Sequence, residues 1–290
     1  ETGRRGRRVV VLEHANKPGK KILLSGGGRC NFTNLGATPD MYISQNPSFA
    51  ISALSRYTSA DFIALVEQHG IPYHEKTLGQ LFCNGSSTEI LDMLLQECTN
   101  ANVVLRTDCS VTDVQRTTDG FSLVTSFGSV STDSLVVATG GLSLPKMGAT
   151  GWAHSLARQL GLAMTDVRPG LVPFKFRPPS LDIFSSLSGV SLVAAVTCGG
   201  MTWRESMLFT HRGLSGPAIL QASSHWRKRN EVVIDLIPEI DDAPRHFDDE
   251  RTTHPGTELA TVVSQLMPRR VAQVFCGDLA MRSMRSLSKA

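Results

Sequence analysis

The sequence predicts an α/β fold of the dinucleotide-binding kind joined to a strand-rich second domain, and three observations carry that expectation. A short apolar run, Val9-Val10-Val11-Leu12, ends in the acid Glu13. A glycine-rich turn, Ser25-Gly26-Gly27-Gly28-Arg29-Cys30-Asn31, follows it. Near Arg168-Pro169-Gly170 the composition then shifts, and Pro173, Pro178 and Pro179 punctuate short β-like runs. With 290 residues there is room for two ordinary domains. The expected division is residues 1–168 and 169–290, the second part β-rich over 169–240 and helical over 241–290.

The run at residues 9–13 lacks polar alternation, which is the pattern of a parallel strand buried on both faces. Glu13 closes it where the second strand of a βαβ unit of roughly 30 residues places the carboxylate that holds ribose hydroxyls. The first strand and its GxGxxG turn are therefore expected upstream of the chain, because Gly3 and Gly6 stand where the connecting helix would be ending. In the glycine-rich turn, consecutive glycines let backbone amides approach a ligand, and Arg29 offers a charge to a phosphate or a flavin carbonyl.

Helical apolar spacing recurs over residues 60–69 and 87–98, with Ser87 as the expected N-cap of the second and Glu89 and Asp92 favouring its first turns. Residues 103–106, 110–114 and 121–126 read as a meander of strands that turns at Asp119-Gly120. Residues 135–138 read as another buried parallel strand, running into Thr139-Gly140-Gly141, where small residues let the chain pass close to a cofactor. Further on, residues 190–198 and 231–237 read as strands. Residues 257–267 and 269–279 read as helices separated by Pro268.

Composition narrows the function classes. Hydrophobic residues make up 41% and charged residues 19%, which excludes a disordered or fibrous chain, and no apolar run reaches membrane-spanning length. Six cysteines are scattered without a CxxC pair, so neither a zinc site, nor any other metal site, nor a disulfide framework is expected. A reducing compartment, the cytoplasm, fits that usage. The net charge of +3 is too mild to imply nucleic acid by itself. Its distribution is uneven: residues 1–30 carry eight Lys and Arg against two acids, and residues 231–260 carry nine acids against Arg245 and Arg251.

The stretch Lys17-Pro18-Gly19-Lys20-Lys21-Ile22-Leu23-Leu24-Ser25-Gly26-Gly27-Gly28-Arg29-Cys30-Asn31-Phe32-Thr33-Asn34 resembles the signature of the BaiN/YhiN-type NAD(P)/FAD-dependent oxidoreductases. Matches continue at Ile43-Ser44-Gln45-Asn46-Pro47, Ser55-Arg56-Tyr57, Leu81-Phe82-Cys83, Ala138-Thr139-Gly140-Gly141, Gly148-Ala149-Thr150-Gly151, Leu171-Val172-Pro173, and from Leu208 through His211-Arg212-Gly213 to Pro217. The resemblance implies a FAD/NAD(P)-binding Rossmann-like domain, incomplete in this chain, with a family-specific insert of a small β-barrel and a helical portion. It also implies a return segment after the insert that completes the flavin pocket. On that expectation this chain alone would hold FAD poorly.

The implied cofactors are FAD and, as electron donor, NAD(P)H. The cofactor-binding residues implied are Glu13, Lys21, Ser25, Gly26, Gly27, Gly28, Arg29, Cys30, Asn31, Val111, Thr139, Gly140, Gly141, Gly148, Thr150 and Gly151. Val111 belongs to the set because Cys109-Ser110-Val111 precedes the Thr139 turn where such folds contact adenine. For catalysis Cys30 is a candidate proton donor beside the flavin, or else a packing residue, and His211 is a candidate acid or substrate ligand, or else a loop-bonding histidine.

The reaction implied is reduction of a carbon–carbon double bond conjugated to a carbonyl, with two substrate types in view: uridine in ribosomal RNA, giving dihydrouridine, or a steroid-like enone. A non-catalytic fragment that retains no flavin is the third alternative. Arg204, Arg212, Arg227, Lys228 and Arg229, against Glu205 alone, form either an RNA-contacting face or a solvated edge of the insert.

Overall fold

The computed structural model describes residues 1–228 and 230–287, so Arg229 of the basic group lies outside the described residues. The chain divides into two compact units, Glu1–Thr165 and Asp166–Ala290.

In the first unit the elements run β1 (Val10–Leu12), α1 (Lys20–Leu24), β2 (Asn31–Asn34), α2 (Ile51–Arg56), α3 (Ser59–Gln68), β3 (Tyr73–Glu75), β4 (Gln80–Cys83) and α4 (Ser87–Asn100). They continue with β5 (Val104–Arg106), β6 (Val111–Thr117), β7 (Gly120–Thr125), β8 (Gly128–Thr132) and α5 (Trp152–Gln159). β1 pairs in parallel with β5, Val10 opposite Val104 and Leu12 opposite Arg106. A parallel pair requires a long crossover, and everything from α1 to α4 supplies it. The strand at residues 9–13 is thus parallel but not buried: Val10 is 46% and Val11 41% exposed. β5 is its only strand neighbour among the described residues, which leaves the other edge and much of its surface open.

Within that crossover β2, β4 and β3 form an antiparallel sheet, and α3 and α4 pack on it. Val66, Ile90 and Met93 are almost wholly buried there, each contributing roughly 1.5–3 kcal/mol relative to exposure. α4 begins one residue earlier than expected from its cap. Ser86, not Ser87, is the N-cap: its Oγ accepts the Thr88 N–H at 3.2 Å, and Glu89 Oε2 accepts the Ser86 N–H at 3.0 Å. Ser87 instead donates its hydroxyl to the Leu23 carbonyl at 2.9 Å, which ties α4 to α1.

β6, β7 and β8 form the meander, packed through Val114 and Leu123 against Leu156 of α5. Residues 103–106 do not belong to it, because β5 pairs with β1. The first hairpin turns at Thr118-Asp119, since Thr117 already faces Gly120. Residues 135–138 form no strand; Val136 is 84% exposed, and a strand without a neighbour has no ladder to join.

The second unit comprises β9 (Phe174–Lys175), α6 (Ser180–Phe184), β10 (Ser191–Cys198), β11 (Met201–Thr210), β12 (Gly213–Ser215), α7 (Pro217–His225), β13 (Val233–Asp235), α8 (Ala243–Thr253), α9 (Leu259–Val263) and α10 (Arg269–Cys276). Its strands form one antiparallel sheet in the order β13-β10-β11-β12-β9. Among the described residues this sheet is open, with β13 and β9 as its edges, rather than the closed barrel expected. Gly199 and Gly200, at φ 60° and 81°, make the two-residue turn between β10 and β11, the backbone twist that joins such strands. Ala194, Val196 and Cys198 of β10 and Met207 and Phe209 of β11 pack beneath Ala218, Ile219 and Ala222 of α7. Helix formation over residues 257–279 is shorter than its apolar spacing suggested: Pro268 caps α10, and residues Gly277–Leu279 tighten into a 3-10 turn. No helix among the described residues is long and apolar enough to cross a membrane.

Candidate functional site

The first unit opens a cleft at the C-terminal end of β1, the end at which α/β folds bind ligands. His14, Ala15, Lys20, Met147 and Gly148 line it, around a volume of about 490 Å3. Glu13 is held at its rim by three contacts. Its N–H donates to the Arg106 carbonyl at 2.8 Å, its carbonyl accepts the Cys109 N–H at 2.9 Å, and Oε1 accepts the Ala15 N–H at 2.8 Å. Oε1 also lies 3.3 Å from His14 Nδ1, whereas Oε2 makes no hydrogen bond among the described residues. A carboxylate oriented by one oxygen with the other free is suited to accept from a hydroxyl.

Two further loop segments of the first unit contact residues that follow β1. Lys21 Nζ donates to Ser143 Oγ at 3.3 Å, and a β-carbon on Gly140 would stand 3.5 Å from the same ammonium. Gly148 has φ 85° at the end of the Pro145–Met147 turn and lies against His14. The fold thus brings Gly148 against His14, the neighbour of Glu13, and Gly140 and Ser143 against Lys21. Thr139 and Gly141 flank Gly140 on the exposed segment, while Thr150 Oγ accepts the Trp152 N–H at 3.4 Å and Gly151 caps α5. Val111 opens β6 and packs toward Val114 and Leu123, just after Cys109, whose amide anchors Glu13.

The glycine turn follows α1 directly. Gly26, Gly27 and Gly28 have φ 58°, 67° and 88°, a left-handed run that side chains resist. Gly26 has a second reason to be glycine, since a β-carbon there would come within 2.7 Å of the Phe82 ring. Around Gly27 and Gly28 nothing lies within 4 Å of where a β-carbon would be, so their backbone faces open space. The Ser25 carbonyl closes the turn by accepting the Cys30 N–H at 3.1 Å, and its hydroxyl donates to Ile22 O at 2.8 Å. Arg29 is exposed. The Asn31 amide nitrogen, oriented to satisfy its neighbours, donates to Leu81 O at 3.2 Å and Thr33 O at 3.1 Å, so Asn31 ties β2 to β4.

Cys30 does not project from the turn over an open face. At φ 49° its side chain enters the core formed with Val66, Ile71, Cys83, Ile90 and Met93, and the residue is 4% exposed. Beside it, burial pushes the Cys83 thiol up to about 11, with Cys30 and Glu89 adding to the shift. The raised value marks Cys83 as an unreactive packing residue, and Cys30 shares its apolar surroundings. His211 lies in the other unit, exposed with Arg212 at the tip of the β11–β12 hairpin.

The basic group of the second unit is also rearranged. Arg204 pairs with Glu239, and Arg227 donates to the carbonyls of Ser224 and Trp226, which leaves Arg212 and Lys228 exposed at separate places. His14, Lys20, Ser143 and Met147 were not singled out in the sequence. Adjacency was the signal for two of them, since His14 follows Glu13 and Lys20 precedes Lys21; Ser143 and Met147 depend on a loop whose course no local pattern gives.

A model of the HI0933-like protein Rossmann domain matches residues 1–278. A protein named ribosomal RNA dihydrouridine synthase from Escherichia coli is 46% identical over 272 residues, covering 93% of this chain and 68% of that protein. A protein of the same name from Haemophilus influenzae is 41% identical over 275 residues, with the same two coverages of 93% and 68%. A 3-dehydro-bile acid delta(4,6)-reductase from Clostridium scindens is 26% identical over 245 residues, covering 80% of this chain and 59% of that protein.

Proposed function

On the premise that this chain belongs to the HI0933-like Rossmann family, a family of flavin-dependent oxidoreductases, we propose that it reduces uridine within ribosomal RNA to dihydrouridine, with NAD(P)H as electron donor. The observation that carries the substrate is the 46% identity, along 93% of this chain, to a relative named for that reaction.

The residues at the end of β1 fit the dinucleotide part of FAD. Glu13 has one carboxylate oxygen fixed by the Ala15 N–H and would accept ribose hydroxyls with the other. Lys20 in the cleft wall and Lys21 beside Gly140 would neutralise the pyrophosphate, and Gly148 leaves the backbone close enough to the cleft for direct contact. Gly27 and Gly28 offer an open backbone face in the same way, with Arg29 as the adjacent cation. When bound, the flavin supplies hydride to the electron-poor carbon of a double bond conjugated to a carbonyl. The chain must supply the proton for the neighbouring carbon. Of the two donors expected, the Cys30 thiol is enclosed by apolar side chains, and the His211 imidazole is exposed on the second unit.

The likeness to the bile acid reductase favours a second reading, a small conjugated enone, over 80% of this chain. Anaerobic stopped-flow absorbance separates the two. After reduction of the bound flavin by NAD(P)H, ribosomal RNA is expected to restore the oxidised spectrum and a 3-keto steroid enone to leave it reduced. The reverse would assign the enone, and a preparation that takes up no FAD would assign the third reading, a fragment that retains no flavin.

A further inference from the structure

The second unit gathers four basic side chains that are separated in sequence at one edge of its sheet. β9 pairs with β12, Lys175 opposite Gly213, and the pairing continues one residue further through the Phe176 N–H, which donates to the Arg212 carbonyl at 2.9 Å. Phe174 and Phe176 pack on the core, so by strand alternation Lys175 and Arg177 face outward. His211 and Arg212 project from the hairpin tip beside them, and all four residues are exposed. None of the four takes part in an ion pair among the described residues. The contrast is Arg204 on the same sheet, which Glu239 neutralises.

We propose that this edge, Lys175, Arg177 and Arg212 with His211 at its tip, is where the protein grips the phosphate backbone of its RNA substrate. The inference rests on the RNA reading above and locates the contact. Edge strands are places where unpaired cations discourage pairing with other chains, and that purpose alone would be met by one lysine. Three permanent cations and a histidine without acidic partners instead make a site of strong positive potential. Such a site gains most from a polyanion that releases counterions on binding. Flanking prolines Pro173 and Pro178 hold the β9 segment extended, which fixes the spacing of Lys175 and Arg177.

The test is the salt dependence of RNA binding by the protein and by a Lys175→Ala/Arg177→Ala/Arg212→Ala variant. The probe is a fluorescently labelled single-stranded ribosomal RNA fragment followed by anisotropy. Loss of three phosphate contacts is expected to reduce the slope of log affinity against log salt by about 2 and to weaken binding about 10-fold or more near 0.1 M salt. Melting temperature and flavin uptake are expected to stay unchanged, since all three side chains are outside the core. An unaltered slope and affinity would overturn the proposal, as would equal binding of poly-glutamate, which would assign the edge to an acidic polypeptide. Dihydrouridine formation by the unaltered protein is measured in parallel. Its absence would sink the RNA reading, whereas its presence with an unaltered slope in the variant would sink only this edge.

Discussion

Gly148 lies so close to His14 that a β-carbon on it would stand 2.8 Å from the imidazole Nε2. The relationship joins the end of β1 to the loop before α5 across the candidate cleft, and Gly148 holds it at φ 85°, where a side chain costs roughly 1 kcal/mol or more. Gly148→Ala is therefore expected to weaken FAD binding about 10-fold, read by quenching of flavin fluorescence during titration. His14→Ala in the same chain removes the clash and is expected to restore part of the affinity. Full affinity in the single variant would show that the loop does not border the cofactor.

Glu13→Gln preserves an oxygen for the Ala15 N–H and removes the charge. Hydrogen bonds to a charged group contribute roughly 1.5–3 kcal/mol, so FAD affinity is expected to fall about 10-fold or more with little change in melting temperature. Equal affinities would mean that another group holds the ribose.

Ser86→Ala removes one half of the capping box of α4. The expected loss is about 1 kcal/mol, seen as a fall in melting temperature of roughly 2–4 °C. Ser87→Ala is expected to act differently, through the lost bond to Leu23 O, which anchors α1 and hence the start of the glycine turn.

The buried Cys83 thiol gives a pH signature. Its folded-state value of about 11 stands above the ordinary value of 9.0, so the neutral thiol is favoured in the fold. Its contribution is complete below about pH 9 and is lost as pH rises toward 11, because the unfolded chain releases the proton first. Chemical denaturation between pH 8 and 11 is expected to show this decline, of about 2–3 kcal/mol, and Cys83→Ala to flatten it on a lower baseline. Thiol reagents are likewise expected to spare Cys30 and Cys83 at neutral pH in the folded protein. Rapid modification of Cys30 would return it to candidacy as the acid.

What was legible in the sequence was what local pattern determines. Val10 to Glu13 announced a parallel strand with an acid at its end, and the spacing in α3 and α4 announced helices that the core confirms through Val66, Ile90 and Met93. Patterns that depend on a distant partner misled. Residues 135–138 have strand composition but no neighbour to pair with, and residues 103–106 pair with β1 instead of the nearer β6. β11 was hidden because charged and polar residues interrupt its outward face, although Gly199-Gly200 marked the turn into it. Cys30 failed as an exposed residue for a similar reason: the left-handed backbone after the glycines turns it inward, and residue order alone gives no such direction. The basic edge at Lys175 and Arg212 was illegible because only the β9–β12 pairing unites them.

The most direct measurement is nucleoside mass spectrometry of ribosomal RNA lacking dihydrouridine after incubation with the FAD-supplemented protein and NAD(P)H. The expected result is a gain of two hydrogens on uridine, dependent on protein, flavin and reductant together. Flavin uptake and NAD(P)H oxidation with no such gain in the RNA would contradict the proposed function.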